Sequence, residues 1–121
     1  MLVEQLDLKT FKNLSKDGIP ALIKFHSNGC HYCNNLDYLL EEVAENYPDL
    51  KFYKINVDKY PTMPAALGFD GVPTILLYNI VPNKKYQFLK EPPAPNKKTW
   101  YSKSYIERNI NKHYKGIKKW N

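Results

Sequence analysis

A chain of 121 residues with a net charge of +6 is long enough to bury one hydrophobic core and too short for two. At 43% apolar and 25% charged residues it has the make-up of an ordinary globular domain, and no stretch approaches the roughly 20 apolar residues that a membrane-spanning helix requires. The positive balance is almost wholly lysine, Arg108 being the one arginine; nucleic-acid recognition favours the planar arginine fork, so no nucleic-acid partner is expected.

Leu2–Leu6 is expected as a first strand. Asp7 then caps a short helix with Leu8, Phe11 and Leu14 at helical spacing, which Lys16-Asp17-Gly18 stops. The acid at position 7 also interrupts what would be the apolar stretch of a leader peptide, so a mature, cytoplasmic protein is expected. After Pro20, Ala21–His26 is an almost continuous apolar run, the mark of a central strand covered on both faces. The only two cysteines follow, in Gly29-Cys30-His31-Tyr32-Cys33, where a helix begins that runs to about Tyr47. It buries Leu36, Leu39, Leu40 and Val43, exposes Glu41, Glu42 and Glu45, and ends at Pro48-Asp49.

Lys51–Val57 reads as a strand, Pro61–Leu67 as a short helix closed by Gly68, and Thr74–Ile80 as an apolar strand introduced by Gly71-Val72-Pro73. Tyr86–Leu89 is its hairpin partner. Glu91–Thr99, with Pro92-Pro93-Ala94-Pro95, is expected to be an exposed loop, after which Ser102 caps a last helix that turns Tyr105, Ile106, Ile110 and Tyr114 inward. Residues 1–114 are taken as one domain and 115–121 as a basic tail; the lysines between Lys112 and Lys119 read as a solvated helix end. The abundance of lysine, asparagine, tyrosine and isoleucine matches AT-rich coding, as in many large viruses and some parasites.

The element order β-α-β-α-β-α-β-β-α predicts an α/β protein, a three-layer α/β/α sandwich around a central mixed sheet. Three segments then carry a resemblance: Ile23-Lys24-Phe25 leading to Cys30-His31-Tyr32-Cys33; Lys54-Ile55-Asn56-Val57-Asp58; and Gly68-Phe69-Asp70-Gly71-Val72-Pro73-Thr74. A lone Cys-X-X-Cys also serves zinc, whereas its combination with a downstream Val-Pro-Thr is specific. From about Leu2 to Tyr114 the chain resembles the thioredoxin-fold family of thioredoxin-like and glutaredoxin-like thiol-disulfide oxidoreductases.

The resemblance implies a dithiol that exchanges with disulfides or thiols of protein substrates and needs no cofactor or metal. Cys30, at the start of a helix whose free N–H groups and dipole favour a thiolate, would attack, and Cys33, one turn deeper, would resolve the mixed disulfide. In the family the proline matching Pro73 follows a cis bond beside the cysteines, and the backbone of the preceding residue, here Val72, pairs with an extended substrate. His31 and Tyr32 occupy the dipeptide that tunes the redox poise; an imidazolium at 31 would favour the Cys30 thiolate, and Tyr32 would cover the rim.

Lys24 is the chief departure, because thioredoxins carry a buried aspartate there and disulfide isomerases a glutamate. Lys24 either points beneath Cys33, as a base or as a charge on its thiolate, or reaches solvent or a carboxylate such as Asp58. Lys54, matching a family lysine, adds positive field. Gly29 stands where the family has tryptophan, and Tyr38 where it has a helix-kinking proline. Two other readings remain open: a metal or iron–sulfur site drawn from His26, Cys30, His31 and Cys33, and a redox-inactive binding or virion module on the same fold. A monomer with no membrane partner is expected, served by a reductase or glutathione.

Overall fold

Alternation along the strands divides the interior into two cores. The computed structural model describes residues 1–116, with the elements β1 (Val3–Gln5), α1 (Leu8–Asp17), β2 (Ala21–His26), α2 (His31–Glu45), β3 (Lys51–Asn56), α3 (Met63–Leu67), β4 (Thr74–Tyr78), β5 (Tyr86–Phe88) and α4 (Lys103–His113). The sheet runs β1-β3-β2-β4-β5. Its first three strands are parallel, while β4 and β5 are antiparallel additions. Side chains of period two send Leu22, Phe52, Ile75 and Leu77 toward α2 and α4, where Leu36, Leu40, Val43, Ile106 and Ile110 meet them. Ala21, Ile23, Phe25, Ile55, Leu76 and Tyr78 turn the other way, onto Phe11 and Leu14 of α1 and Met63 of α3. Helices on both faces of a mixed sheet make the expected three-layer sandwich, and β2 is its central strand.

Local chemistry sets the boundaries. Asp7 caps α1 by accepting from Thr10 N–H at 2.8 Å, and Gly18 closes it at φ 66°. The apolar stripe of α1 is narrower than expected, since Leu8 is exposed. β4 stops two residues before Ile80, because Asn79 turns left-handed at φ 58° and its amide donates to the carbonyls of Leu14 and Ile19. β1 is held at the sheet edge by Glu41, whose carboxylate accepts from the N–H groups of Leu2 and Val3 at 2.9 and 2.8 Å.

α2 ends at Glu45, two residues short of Tyr47, and α3 starts at Met63, two residues after Pro61. The proline-rich segment is not simply an exposed loop: Pro92 is buried, and Asn96 and Trp100 exchange two backbone hydrogen bonds of 2.9 Å. Tyr105 is only partly buried. Residues 117–121 of the expected basic tail lie outside the described residues. Among the described residues no helix is long and apolar enough to cross a membrane.

Candidate active site

Cys30 is the N-cap of α2, in extended conformation, and its sulfur accepts from the Cys33 N–H at 3.1 Å. The two cysteines form a disulfide with a Cα separation of 5.2 Å. Cys33 is buried and Cys30 only half-buried, so the cap sulfur is the one that a substrate can reach. On reduction, the N–H that now touches Cys30 sulfur and the dipole of α2 both favour the thiolate. Gly29, at φ 76°, makes the sharp turn from β2 into the helix that a side chain would resist. That turn is pinned to the end of β3 by Asn28 N–H donating to Asp58 at 2.8 Å.

The Val72-Pro73 bond is cis. Because Thr74 opens β4 opposite Phe25 of β2, Val72 and Pro73 lie beyond the same end of the sheet from which the chain turns toward Cys30. Pro73 is buried and Val72 half-buried. The Val72 backbone makes no hydrogen bond within the described residues, which leaves its N–H and C=O for an extended partner.

His31 and Tyr32 are exposed on the first turn of α2. The Tyr32 ring meets Trp100 edge-on, centroids 5.3 Å apart. No motif in the sequence marks Trp100, whose backbone sits at φ 65°, a conformation rare for a bulky aromatic. Its indole donates to Glu91 at 2.7 Å, and Asn35 of α2 fastens the loop by donating to the Lys98 carbonyl at 2.9 Å. An aromatic pair therefore stands at the first turn of α2 despite the glycine at 29.

Lys24 lies beneath Cys33 and does not reach solvent. Period two places it on the same face of β2 as Leu22, toward α2, and it is wholly buried. Its ammonium donates to the Cys33 carbonyl at 3.0 Å and is ion-paired with Asp37. The carboxylate is thus not Asp58, which is engaged with Asn28. Asp37 follows Cys33 by four residues on one helix face, and that spacing was the signal available in the sequence. Lys54 stands directly opposite Lys24 in the β2–β3 register, and its ammonium is 3.4 Å from the second oxygen of Asp37.

His26, at the end of β2, has its Nε2 buried without a hydrogen-bond partner among the described residues. Its pKa is pushed down to about 4, first by burial and then by the charge on Lys24. The cysteine sulfurs are bonded to each other, and among the described residues no three His, Cys, Asp or Glu side chains converge on a point that a metal ion could occupy.

The thioredoxin family model matches residues 2–91. A thioredoxin of Borreliella burgdorferi is 33% identical over 94 residues, which span 74% of this chain and 80% of that protein. A thioredoxin of Pyropia yezoensis is 31% identical over 80 residues, 64% of this chain and 75% of its own. Among solved structures, chloroplastic thioredoxin z superposes with a TM-score of 0.73 at 21% identity, covering 93% of this chain and 94% of that one. Mitochondrial thioredoxin 3 of Saccharomyces cerevisiae, in its oxidized form, gives 0.66 at 24%, covering 91% and 94%.

The chain belongs to the thioredoxin family. It is a thiol-disulfide oxidoreductase, and the family acts on protein disulfides. The match stops at residue 91, so the loop that brings Trp100 to this family's active-site rim lies beyond the matched part.

His26 gives the thioredoxin-family core a predicted acid sensitivity. Its folded pKa, about 4, lies below the ordinary 6.5, so in that window the unfolded chain binds more protons and stability falls with falling pH. The slope is at most about 1.4 kcal/mol per pH unit and is reduced by the partial exposure of the ring. Urea midpoints measured at neutral pH and near pH 5 should fall in that order, and His26→Phe should flatten the difference. Equal pH dependence in the two proteins would remove His26 as the cause.

Proposed function

We propose that the chain works as a monomeric protein-disulfide oxidoreductase of the cytoplasm, with Cys30 as nucleophile and Cys33 as resolving thiol. The observation that carries this assignment is the asymmetry of the pair: a half-buried sulfur capping a helix, and a buried sulfur one turn deeper. Cys30 thiolate attacks the substrate disulfide, one substrate sulfur leaves, and Cys33 then displaces the other as the Cys30–Cys33 bond forms. An extended polypeptide pairs with the Val72 backbone and is bounded on the opposite side by Tyr32 and Trp100. Both cysteines belong to the reactive pair, a usage that suits a reducing compartment, where structural disulfides are rare. Electrons come from a protein reductase or glutathione.

The poise is set toward oxidation relative to ordinary thioredoxin. Two lysines and one carboxylate leave an excess positive charge below the cysteines, which stabilises thiolates and hence the reduced form. Exposed His31 adds to this only weakly across water. Equilibration in graded glutathione buffers, with thiols counted by alkylation and mass, should show a two-electron couple with a midpoint above the roughly −270 mV of thioredoxin. A protein that never forms or loses the Cys30–Cys33 bond in such buffers is a scaffold, not an oxidoreductase.

A further inference from the structure

Lys24 is the one charged side chain in the buried core of the described residues, and simple exchange between Cys30 and Cys33 makes no use of it. Three elements converge on it from the α2 side of the sheet. β2 supplies Lys24 and, at its end, His26; β3 supplies Lys54, directly opposite; α2 supplies Cys33 and Asp37. On its other flank β4 offers only apolar Ile75. Like charges facing each other across neighbouring strands repel, and Asp37 bridges both. The two partners differ in screening: Lys24 is 0% exposed, while Asp37 and Lys54 are each 27% exposed. The least screened charge in the group is therefore the cation that touches the Cys33 peptide.

We propose that Lys24, held as a cation by Asp37, ionises Cys33 for the resolving step, which makes Lys24 and Asp37 positioning residues of the reaction. The inference rests on the thiol-disulfide reading given above. Alone, Lys24 would tend to give up its proton, since burial disfavours the ammonium while the bond and charge of Asp37 oppose that loss. His26 adds no second cation because burial keeps it neutral.

In the mixed disulfide, the Cys33 thiol loses its proton to water. The thiolate attacks Cys30 sulfur, the Cys30–Cys33 bond forms, and the bond from Cys30 to substrate breaks. The electron pair leaves on the substrate sulfur, which takes up a proton from water. Lys24 neither gains nor loses a proton in this sequence; its charge lowers the energy of the thiolate.

The test follows the Cys33 thiol itself, by carbon-13 NMR of the cysteine Cβ in the reduced protein across neutral and alkaline pH. Lys24→Met, which conserves volume, should move the Cys33 titration up by about one unit, an approximately tenfold loss of thiolate at neutral pH. The rate of Cys33 attack in the mixed disulfide should fall by about three- to fourfold, because the more basic thiolate is also the better nucleophile. Lys54→Met, acting through water, should move it less. The double variant Lys24→Asp/Asp37→Lys rebuilds the pair with its charges exchanged and should raise the titration furthest, a response that a merely structural pair would not give. Unmoved titration in Lys24→Met and in the double variant, both folded by near-ultraviolet circular dichroism, overturns the proposal while the dithiol still cycles. Failure of the parent protein to cycle would instead remove the underlying oxidoreductase reading.

Discussion

Cys33→Ser should arrest turnover after its first step and leave Cys30 joined to substrate, visible as an adduct on non-reducing electrophoresis that dithiothreitol dissolves. The expectation comes from the division of access within the pair. Cys30 is half-buried where Cys33 is buried, and its sulfur accepts the Cys33 N–H at 3.1 Å, so it remains an activated nucleophile when the second sulfur is absent. The N–H that supports it belongs to the backbone and survives the substitution. A serine hydroxyl cannot displace the substrate, because a neutral alcohol is far too weak a nucleophile toward a disulfide. Multiple turnover should drop to the uncatalysed background. Cys30→Ser should form no adduct, since the remaining sulfur is buried. If Cys33→Ser releases its substrate as fast as the parent protein, resolution does not come from position 33 and the two-cysteine cycle is wrong.

The strands and helices were legible because their periodicities are unmixed. Ala21–His26 and Thr74–Tyr78 are buried on both faces, so an unbroken apolar run announces them; the caps Asp7 and Ser102 sit where their side-chain bonds are found. Boundaries slipped where a non-local bond decided them, as at Asn79, whose amide answers two carbonyls of another element. The cysteine pair was legible for the same reason as the strand before it: strand, turn and helix are contiguous in the chain.

What the sequence concealed were contacts between distant segments. Asp37 looked like one more polar residue of α2 until β2 and β3 placed two lysines under it. Trp100 lies just past the proline-rich Glu91–Thr99 loop with no pattern to single it out, and its place beside Tyr32 depends on bonds from Asn96, Glu91 and Asn35. Both omissions concern the surroundings of the site, which long-range packing sets, whereas the reactive atoms were fixed locally. The same division has a chemical consequence. In the proposed cycle the attacking sulfur draws its activation from its own helix, and the resolving sulfur from charges on β2, β3 and α2, so substitutions should affect the two steps independently.

Asp37→Ala and Lys24→Met should differ sharply in stability although both break one ion pair. Removing the carboxylate leaves a wholly buried ammonium with the Cys33 carbonyl as its remaining partner, facing Lys54. Stranding one member of a buried pair costs about 3–5 kcal/mol, and the 27% exposure of Asp37 places this case near the lower end because water can enter. A Tm lowered on the order of 10 °C should accompany it. Lys24→Met fills the same space with an apolar chain and leaves Asp37 with Lys54 and water, a change expected to stay within about 1 kcal/mol. The deficit of Asp37→Ala should also shrink as pH rises. Burial already lowers the Lys24 pKa, and without the carboxylate it falls further, so the unfolded chain binds more protons than the folded one and stability climbs with pH. Denaturant unfolding of the three proteins at neutral and alkaline pH would show both effects. Equal losses in the two variants would mean that packing around Lys24, not its charge, is what the fold depends on at this point.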